Sequence, residues 1–254
     1  MSGMAFGTNL KADFFTKGIW QGSKDLGSGL VTNIGVLALA NDMNWASPAT
    51  AVNVFKLLKY HATGIGVTAA AATDFKIQTP SAAGGQTPVA GTQVFTPDQA
   101  ATTQKIVSVA TIAYTGTEAV TEWGFFNRAT LGDAAVAADS PFTAVTALLA
   151  TGTGTTLTAS STTVQGDSQY VLEAQTTARI ALILSNSTSA YTIATGGNNG
   201  WLVSSTGIVG SAPGGTETFK KRALMWDHKQ FAAINVVNGD SIQFTYSLTV
   251  SSGG

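Results

Sequence analysis

Two histidines and a few carboxylates are the residues in this sequence best suited to chemistry. His228 follows Asp227, a pairing that suggests acid–base work or metal binding. In a strand, however, adjacent side chains point to opposite faces, so Asp227 would not orient His228. His61 follows Tyr60 just ahead of a glycine-containing loop. Two histidines and no cysteines make a zinc site a poor fit, and the lack of cysteine removes disulfides and thiol nucleophiles as well. Glu118 and Glu122 fall in one strand–turn–strand segment, whereas a glycosidase needs two carboxylates facing each other across a cleft. Such a pair drawn from distant strands would make the chain a polysaccharide-degrading enzyme. Asp133, Asp139, Asp167 and Asp240 sit in predicted loops without the spacing of a calcium loop. Gly64-Ile65-Gly66 and Gly152-Thr153-Gly154 lack the Lys-Ser/Thr of a phosphate loop and read as turns. No G-x-S-x-G motif occurs. The expectation is structural or surface roles for both histidines, with no catalytic residue, no cofactor and no metal.

The elements that would position any such residues are strands. From Ile242 to Val250 apolar residues alternate strictly with small polar ones, which a pleated strand requires and a helix would scatter. Asn238-Gly239 tolerates the positive φ of a tight hairpin, so Ala232–Val237 is predicted to pair with this last strand, with Phe231, Ile234 and Val236 as candidates for burial. Lys105–Phe126 reads as a second hairpin turning at Gly116, with Trp123 and Phe125 on one face and Val120 and Phe126 on the other. Gly124, between two aromatics, marks a bulge or a close backbone approach. Val31–Ala40 is apolar on both faces and reads as a buried strand. Ala49–Tyr60 fits a helix or a strand, with strand preferred. Residues 62–104 are rich in loops, with one short helical turn expected over Ala69–Phe75.

The first thirty residues are predicted to form an extended arm. Glycine recurs there too often for a helix, and Phe6, Phe14, Phe15 and Trp20 recur with it. The arm either folds back on its own domain or reaches a neighbouring subunit; Phe14, Phe15 and Trp20 are the interface residues in the second case. Residues 128–219 read as a separate small β module with strand-like runs at Tyr170–Ala174, Ala178–Ser185, Ser189–Ala194, Gly200–Val203 and Gly207–Val209.

Composition narrows the function. Of the 254 residues, 44% are apolar and only 11% charged, with a net charge of −1. The typical charged share is about a quarter. A surface covered by Thr, Ser, Ala and Gly suits a protein packed against copies of itself or partners rather than a free monomer. The charge balance argues against general nucleic-acid binding. The lack of eighteen consecutive apolar residues argues against a spanning helix, and the N-terminal residues do not read as a secretory signal.

Two stretches carry a family resemblance. The first is Val120, Thr121, Glu122, Gly124 and Phe126. The second is Phe231, Ile234, Asn235, Val236, Gly239, Asp240, Ser241, Ile242, Gln243, Thr245, Tyr246, Leu248, Thr249 and Val250. Together they resemble a group of tailed-bacteriophage virion structural proteins with a V-T-E-x-G-[IL]-F strand and a terminal F-x-x-I-N-V-x-x-G-D-S-[IL]-Q-x-T-Y-x-L-T-V segment. Tyr60-His61 with Gly64 and Gly66, and Pro88–Gln93, look like its upstream part. Phe125 departs from the Ile or Leu usual there. The resemblance spans roughly residues 50–127 and 220–250, and the residues between look like an insertion.

The resulting expectation is an all-β protein: an antiparallel Greek-key or jelly-roll-like sandwich over 31–127 plus 220–254, an inserted module over 128–219, and an extended N-terminal arm over 1–30. The resemblance implies a non-enzymatic part of a phage particle, made in the bacterial cytoplasm. Its first form is a capsid decoration (cement) protein on the virion exterior, a homotrimer whose partner is the major capsid protein, with no nucleic acid or membrane partner. Its second is a tail, collar or fibre component that docks other tail proteins or binds a host glycan, with Tyr191 and Trp201 as the platform.

Overall fold

The computed structural model describes residues 4–42, 57–95, 97, 102–131, 156–157, 170–174, 180–183, 191–192, 201–204, 207–209 and 219–252. In chain order the described elements begin with β1 (Met4–Thr16), β2 (Ile19–Gly27), β3 (Leu30–Val31), α1 (Asn33–Asp42), β4 (Tyr60–Gly64), β5 (Val89–Ala90) and β6 (Thr92–Phe95). They continue with β7 (Thr103–Ala113), β8 (Glu118–Phe126), β9 (Thr156–Leu157), β10 (Tyr170–Ala174), β11 (Ile180–Ile183) and β12 (Tyr191–Thr192). The series closes with β13 (Trp201–Ser204), β14 (Gly207–Val209), β15 (Phe219–Ala223), β16 (Met225–Val236) and β17 (Asp240–Ser252). The protein is all-β with mainly antiparallel sheets, as the patterning predicts. Two compact units divide it: Met1–Thr32 with Leu58–Ala129 and Met225–Gly254, and Asn33–Leu57 with Thr130–Leu224. Residues 33–57, expected in the main sandwich, therefore cluster with 130–224.

The first unit holds two five-stranded antiparallel sheets, I in the order β2-β1-β17-β7-β6 and II in the order β3-β16-β8-β4-β5. β17 is the centre of sheet I. Its alternation sends Ile242, Phe244, Tyr246 and Leu248 into the core, where all are buried. There they meet sheet II: the Tyr246 ring lies 5.2 Å from Trp123 and 4.6 Å from Phe125, and Trp123 stacks on Phe125. Trp123 and Phe125 thus share the inner face of β8. Burying such rings contributes about 1.5–3 kcal/mol each, so this aromatic layer is the main adhesive between the sheets.

Neither predicted hairpin is one. β16 pairs with β8 and β3, whereas β17 pairs with β1 and β7. The turns at 114–117 and 237–239 are arches that carry the chain from one sheet to the other. They stack: Gly239 N donates to Tyr114 O (3.0 Å) and Tyr114 N to Asp240 O (2.9 Å). Gly239 takes the left-handed conformation the arch requires, at φ +90°. Turn residues specified the reversals correctly, but a reversal does not say which strand lies alongside. Phe231 and Val236 are buried as expected, and Ile234 is half-buried next to a register shift between Gln230 and Ile234.

The segment predicted as an arm is two strands of sheet I. β1 pairs with β17 residue for residue from Met4↔Ser252 to Thr16↔Asp240. It returns through Lys17-Gly18 into β2, and both turn residues have positive φ, the signature of a tight type I′ hairpin. Leu10, Ala12 and Leu26 are buried. A strand needs few apolar residues to join a core when its neighbour supplies a full ladder of backbone hydrogen bonds, so this segment folds on its own unit.

In the second unit, residues 33–42 form a helix and not the predicted strand. The run Leu37-Ala38-Leu39-Ala40 favours helix, and ten residues is long for a buried strand. Ile34 and Ala38, one turn apart, are both buried. The Ala49–Tyr60 prediction lies outside the described residues up to 56, and Tyr60 opens β4. The five strand-like runs between 170 and 209 appear as β10 to β14. Four of them join β15 in a sheet ordered β14-β13-β11-β10-β15, in which only β11 and β13 run parallel, and β12 pairs with β9.

Candidate functional site

The chemistry-bearing residues of the first unit gather on the two faces of sheet II. On the outer face, the chain between β4 and β5 folds back along the sheet. Ile65 N donates to Thr79 O (2.8 Å) and Ser81 N to Thr63 O (3.0 Å). In place of the helical turn expected over Ala69–Phe75 there is an isolated reverse turn, closed by Asp74 N donating to Ala71 O (2.9 Å). Two carboxylates from β8 fasten this loop. Glu118 Oε1 accepts from Ala82 N (2.9 Å), and its other oxygen accepts from the Ser81 hydroxyl. Glu122 accepts three backbone N–H groups, from Gly66 (2.8 Å), Gln78 (3.0 Å) and Thr79 (3.0 Å). To reach them its side chain lies across β4 at Gly64, where a Cβ would sit 2.4 Å from Oε1. A side chain there would block the reach, so Gly64-Ile65-Gly66 is built for a carboxylate of its own chain and not for a phosphate.

Glu122 also meets a histidine. His228, on β16, places Nε2 3.0 Å from Glu122 Oε2 and Nδ1 2.8 Å from Asp74 Oδ2. Both ring nitrogens face carboxylate oxygens, which only accept, so the ring carries both protons and is a cation. Burial pulls the imidazole pKa down, but the hydrogen bonds and charges of Glu122 and Asp74 outweigh it and hold the pKa above the usual range. Burial likewise pushes Glu122 up, and His228 with the three backbone donors brings it below the ordinary glutamate value. His228 and Glu122 are wholly inaccessible to solvent.

On the inner face the neighbouring residue does something else. Asp227 points between the sheets, where Tyr246 donates its hydroxyl proton to Oδ2 (3.1 Å) and receives one from Trp226 Nε1 (2.9 Å). Burial raises the Asp227 carboxyl to about 6, against the pull of Tyr246. Asp227 and His228 therefore do face opposite ways and form no catalytic pair. His61 is also in the inner layer. Trp123 Nε1 donates to its Nδ1 (3.2 Å), which places the ring proton on Nε2, facing Ser108 Oγ at 2.9 Å. Burial alone lowers its pKa to about 3, so it is neutral. Both histidines are buried and hydrogen-bonded within the unit.

The predicted interface residues converge at one end of the β1–β2 hairpin. Phe15 and Trp20 face each other across the two strands, and Phe14 opposes Ile242 of β17. Phe14 and Phe15 are half-buried, while Trp20 is 59% and the adjoining Ile19 68% exposed. Beside them an open groove of about 400 Å³ runs between sheet I and β16, lined by Phe14, Phe15, Lys24, Ile234, Val236 and Ile242. The glycan candidates are not brought onto one sheet: Tyr191 lies on β12 and Trp201 on β13. Asp240 caps its own turn, accepting from Val237 N (3.0 Å). Asp133, Asp139 and Asp167 lie outside the described residues. Among the described residues no group of three or more His, Cys, Asp or Glu is arranged to hold a metal. No described helix is long and apolar enough to cross a membrane.

Sequence reasoning missed Asp74 and the joining of Asp74, His228 and Glu122. A glutamate inside the apolar run Val120–Phe126 was the available signal, because a charge in a buried strand needs partners. No family model, curated protein or solved structure matches the chain.

Proposed function

We propose that this chain is a non-enzymatic structural protein of a tailed-phage particle, acting first as a capsid decoration protein that clamps neighbouring major-capsid subunits. The observation that carries this reading is the exposed aromatic corner of the β1–β2 hairpin. Ile19 and Trp20 project into solvent beside the groove on a chain with only 11% charged residues. Large aromatics at the surface are favoured anchors of protein interfaces. The histidines and the β8 glutamates, which would serve an enzyme, are spent on internal hydrogen bonds. The residues on which the resemblance to phage virion proteins rests include Glu122, Gly124, Tyr246 and Leu248, which build the two-sheet unit itself.

In this reading the work is mechanical. A homotrimer bound to the shell at several points gains avidity that no single weak contact has. The N-terminal hairpin supplies the contact, and the second unit is free to project or to touch a neighbour. Copy number per particle against the major capsid protein, from mass spectrometry of purified virions, is the test. A ratio near one-to-one supports the capsid role. A ratio of a few per cent moves the chain to the tail, collar or fibre. Trp20→Ala is expected to weaken assembly while leaving the melting transition of the isolated protein in place.

A further inference from the structure

We propose that His228 is a proton-dependent latch: it holds the tip of the β4–β5 loop, residues 69–75, against sheet II through Asp74, and loss of its proton frees that tip while the base of the loop and the sandwich stay folded. The geometry has three parts. The ring lies buried between two carboxylates that come from different elements, Asp74 from the loop and Glu122 from β8, at 2.8 and 3.0 Å. Both contacts need a proton on the ring. A neutral imidazole has one, so on deprotonation one nitrogen lone pair must face a carboxylate lone pair, and one contact breaks.

Which one breaks follows from the surroundings. Glu122 is wholly buried and keeps its three backbone donors, so it stays. The Asp74 side chain is 23% exposed and can turn to water. Its remaining attachments, Ala71 N to Oδ2 at 2.7 Å and its own N to Ala71 O, are within the loop and do not tie it to the sheet. The base of the loop stays as well, because Thr121 Oγ1 donates to Gly66 O (2.6 Å) and Gln230 Nε2 to Val67 O (3.1 Å), so release is confined to the tip. Two further charged groups flank the ring on β16 itself, Asp227 and Lys229. Asp227 faces the inner layer, and its charge favours the imidazolium. Lys229 is held by the Ser28 carbonyl at 2.6 Å. Across the sheet, Gly124 of β8 and Leu30 of β3 are the register partners of His228 and bring no charge.

The window has two edges. His228 binds its proton more tightly folded than unfolded, so its contribution is complete below the ordinary imidazole value and is lost as pH rises through the raised folded value. Glu122, lowered, contributes above the ordinary glutamate value and loses its contribution as pH falls through the lowered folded value. The latch is closed between them.

The experiment uses the full chain. Ring nitrogen shifts of His228 are followed by NMR from pH 6.5 upward, with amide hydrogen exchange of residues 69–75 and of β7 and β17 measured at each pH and corrected for its intrinsic pH dependence. We expect the ring to lose its proton above the ordinary imidazole range, and protection of the tip to fall over the same interval while β7 and β17 remain protected. Asp74→Asn keeps an oxygen for Ala71 N but removes the charge. It should weaken proton binding at His228 by about tenfold and loosen the tip already at neutral pH. The proposal is overturned if protection of the tip ignores the ring titration, if the sheets lose protection together with the tip, or if Asp74→Asn leaves both the titration and the tip unchanged.

Discussion

The two sheets of the first unit bury themselves in different ways. Sheet I has one dry face and one wet one. Along β17, Ile242, Phe244, Tyr246 and Leu248 are buried, while Ser241, Gln243, Thr245 and Thr249 on the other face keep partial exposure. Sheet II is dry on both faces at its centre. Every residue of β8 from Val120 to Phe126 is buried, because the opposite sheet covers one side and the loop after β4 the other. The ionisable groups at the centre of β8 and β16 therefore have no water to turn to. Glu122, Asp227 and His228 must find partners inside the protein, whereas on the outer face of sheet I charged residues such as Lys11 and Asp13 pair at the surface, 3.0 Å apart. Polar chemistry concentrates where a sheet has two dry faces, and in this unit it serves as fastening.

The comparison can be broken from either side. The largest effect should come from removing residues 1–27. Sheet I would lose β1, the partner of β17 over its whole length, and the core would lose Leu10 and Ala12. We expect no cooperative thermal transition by circular dichroism. Next is Glu122→Gln, which leaves the His228 cation buried with half its compensation. The expected loss is about 3–5 kcal/mol in a urea titration. A milder effect should follow pH. The fold holds the Asp227 proton more tightly than the unfolded chain does, so this group favours folding below pH 3.8 and the benefit disappears as pH rises through about 6. Relative to Asp227→Asn, the wild type should lose on the order of 2–3 kcal/mol between pH 3.8 and 7. Smallest is Thr245→Ala on the wet face of sheet I, expected to stay within about 0.5 kcal/mol. A cost as large as that of Glu122→Gln would mean that this face is covered too.

The same contrast decides what was legible in the residues alone. β17 could be read because water on one side writes a period of two into the sequence. β8 carries no such period, and only its Trp123/Phe125 and Val120/Phe126 division emerged. The two turns were legible as reversals, since Asn238-Gly239 and Gly116 suit them, but pairing depends on strands far away in the chain. The β1–β2 hairpin turns at Lys17-Gly18, inside a glycine-rich stretch whose own propensity is low and whose partner β17 is distant. The cluster of Asp74, Glu122 and His228 joins residues 106 and 154 positions apart, and no local spacing encodes such a meeting. Phe15 and Trp20 lie side by side because a hairpin keeps neighbours in sequence close in space, whereas Phe14 stands on the other face opposite Ile242.

The pairing of β1 with β17 also has a consequence for how the protein is made. More than two hundred residues of chain separate the two strands. While a ribosome is still translating the intervening segment, the β1–β2 hairpin exists without the neighbour that completes its sheet, and a lone hairpin is marginal in water. Sheet I can close only after β17 has left the exit tunnel, so this unit stays incomplete while the segment between the two strands is being made. Closing so long a loop is slow, and until then the apolar strands are open to other nascent copies.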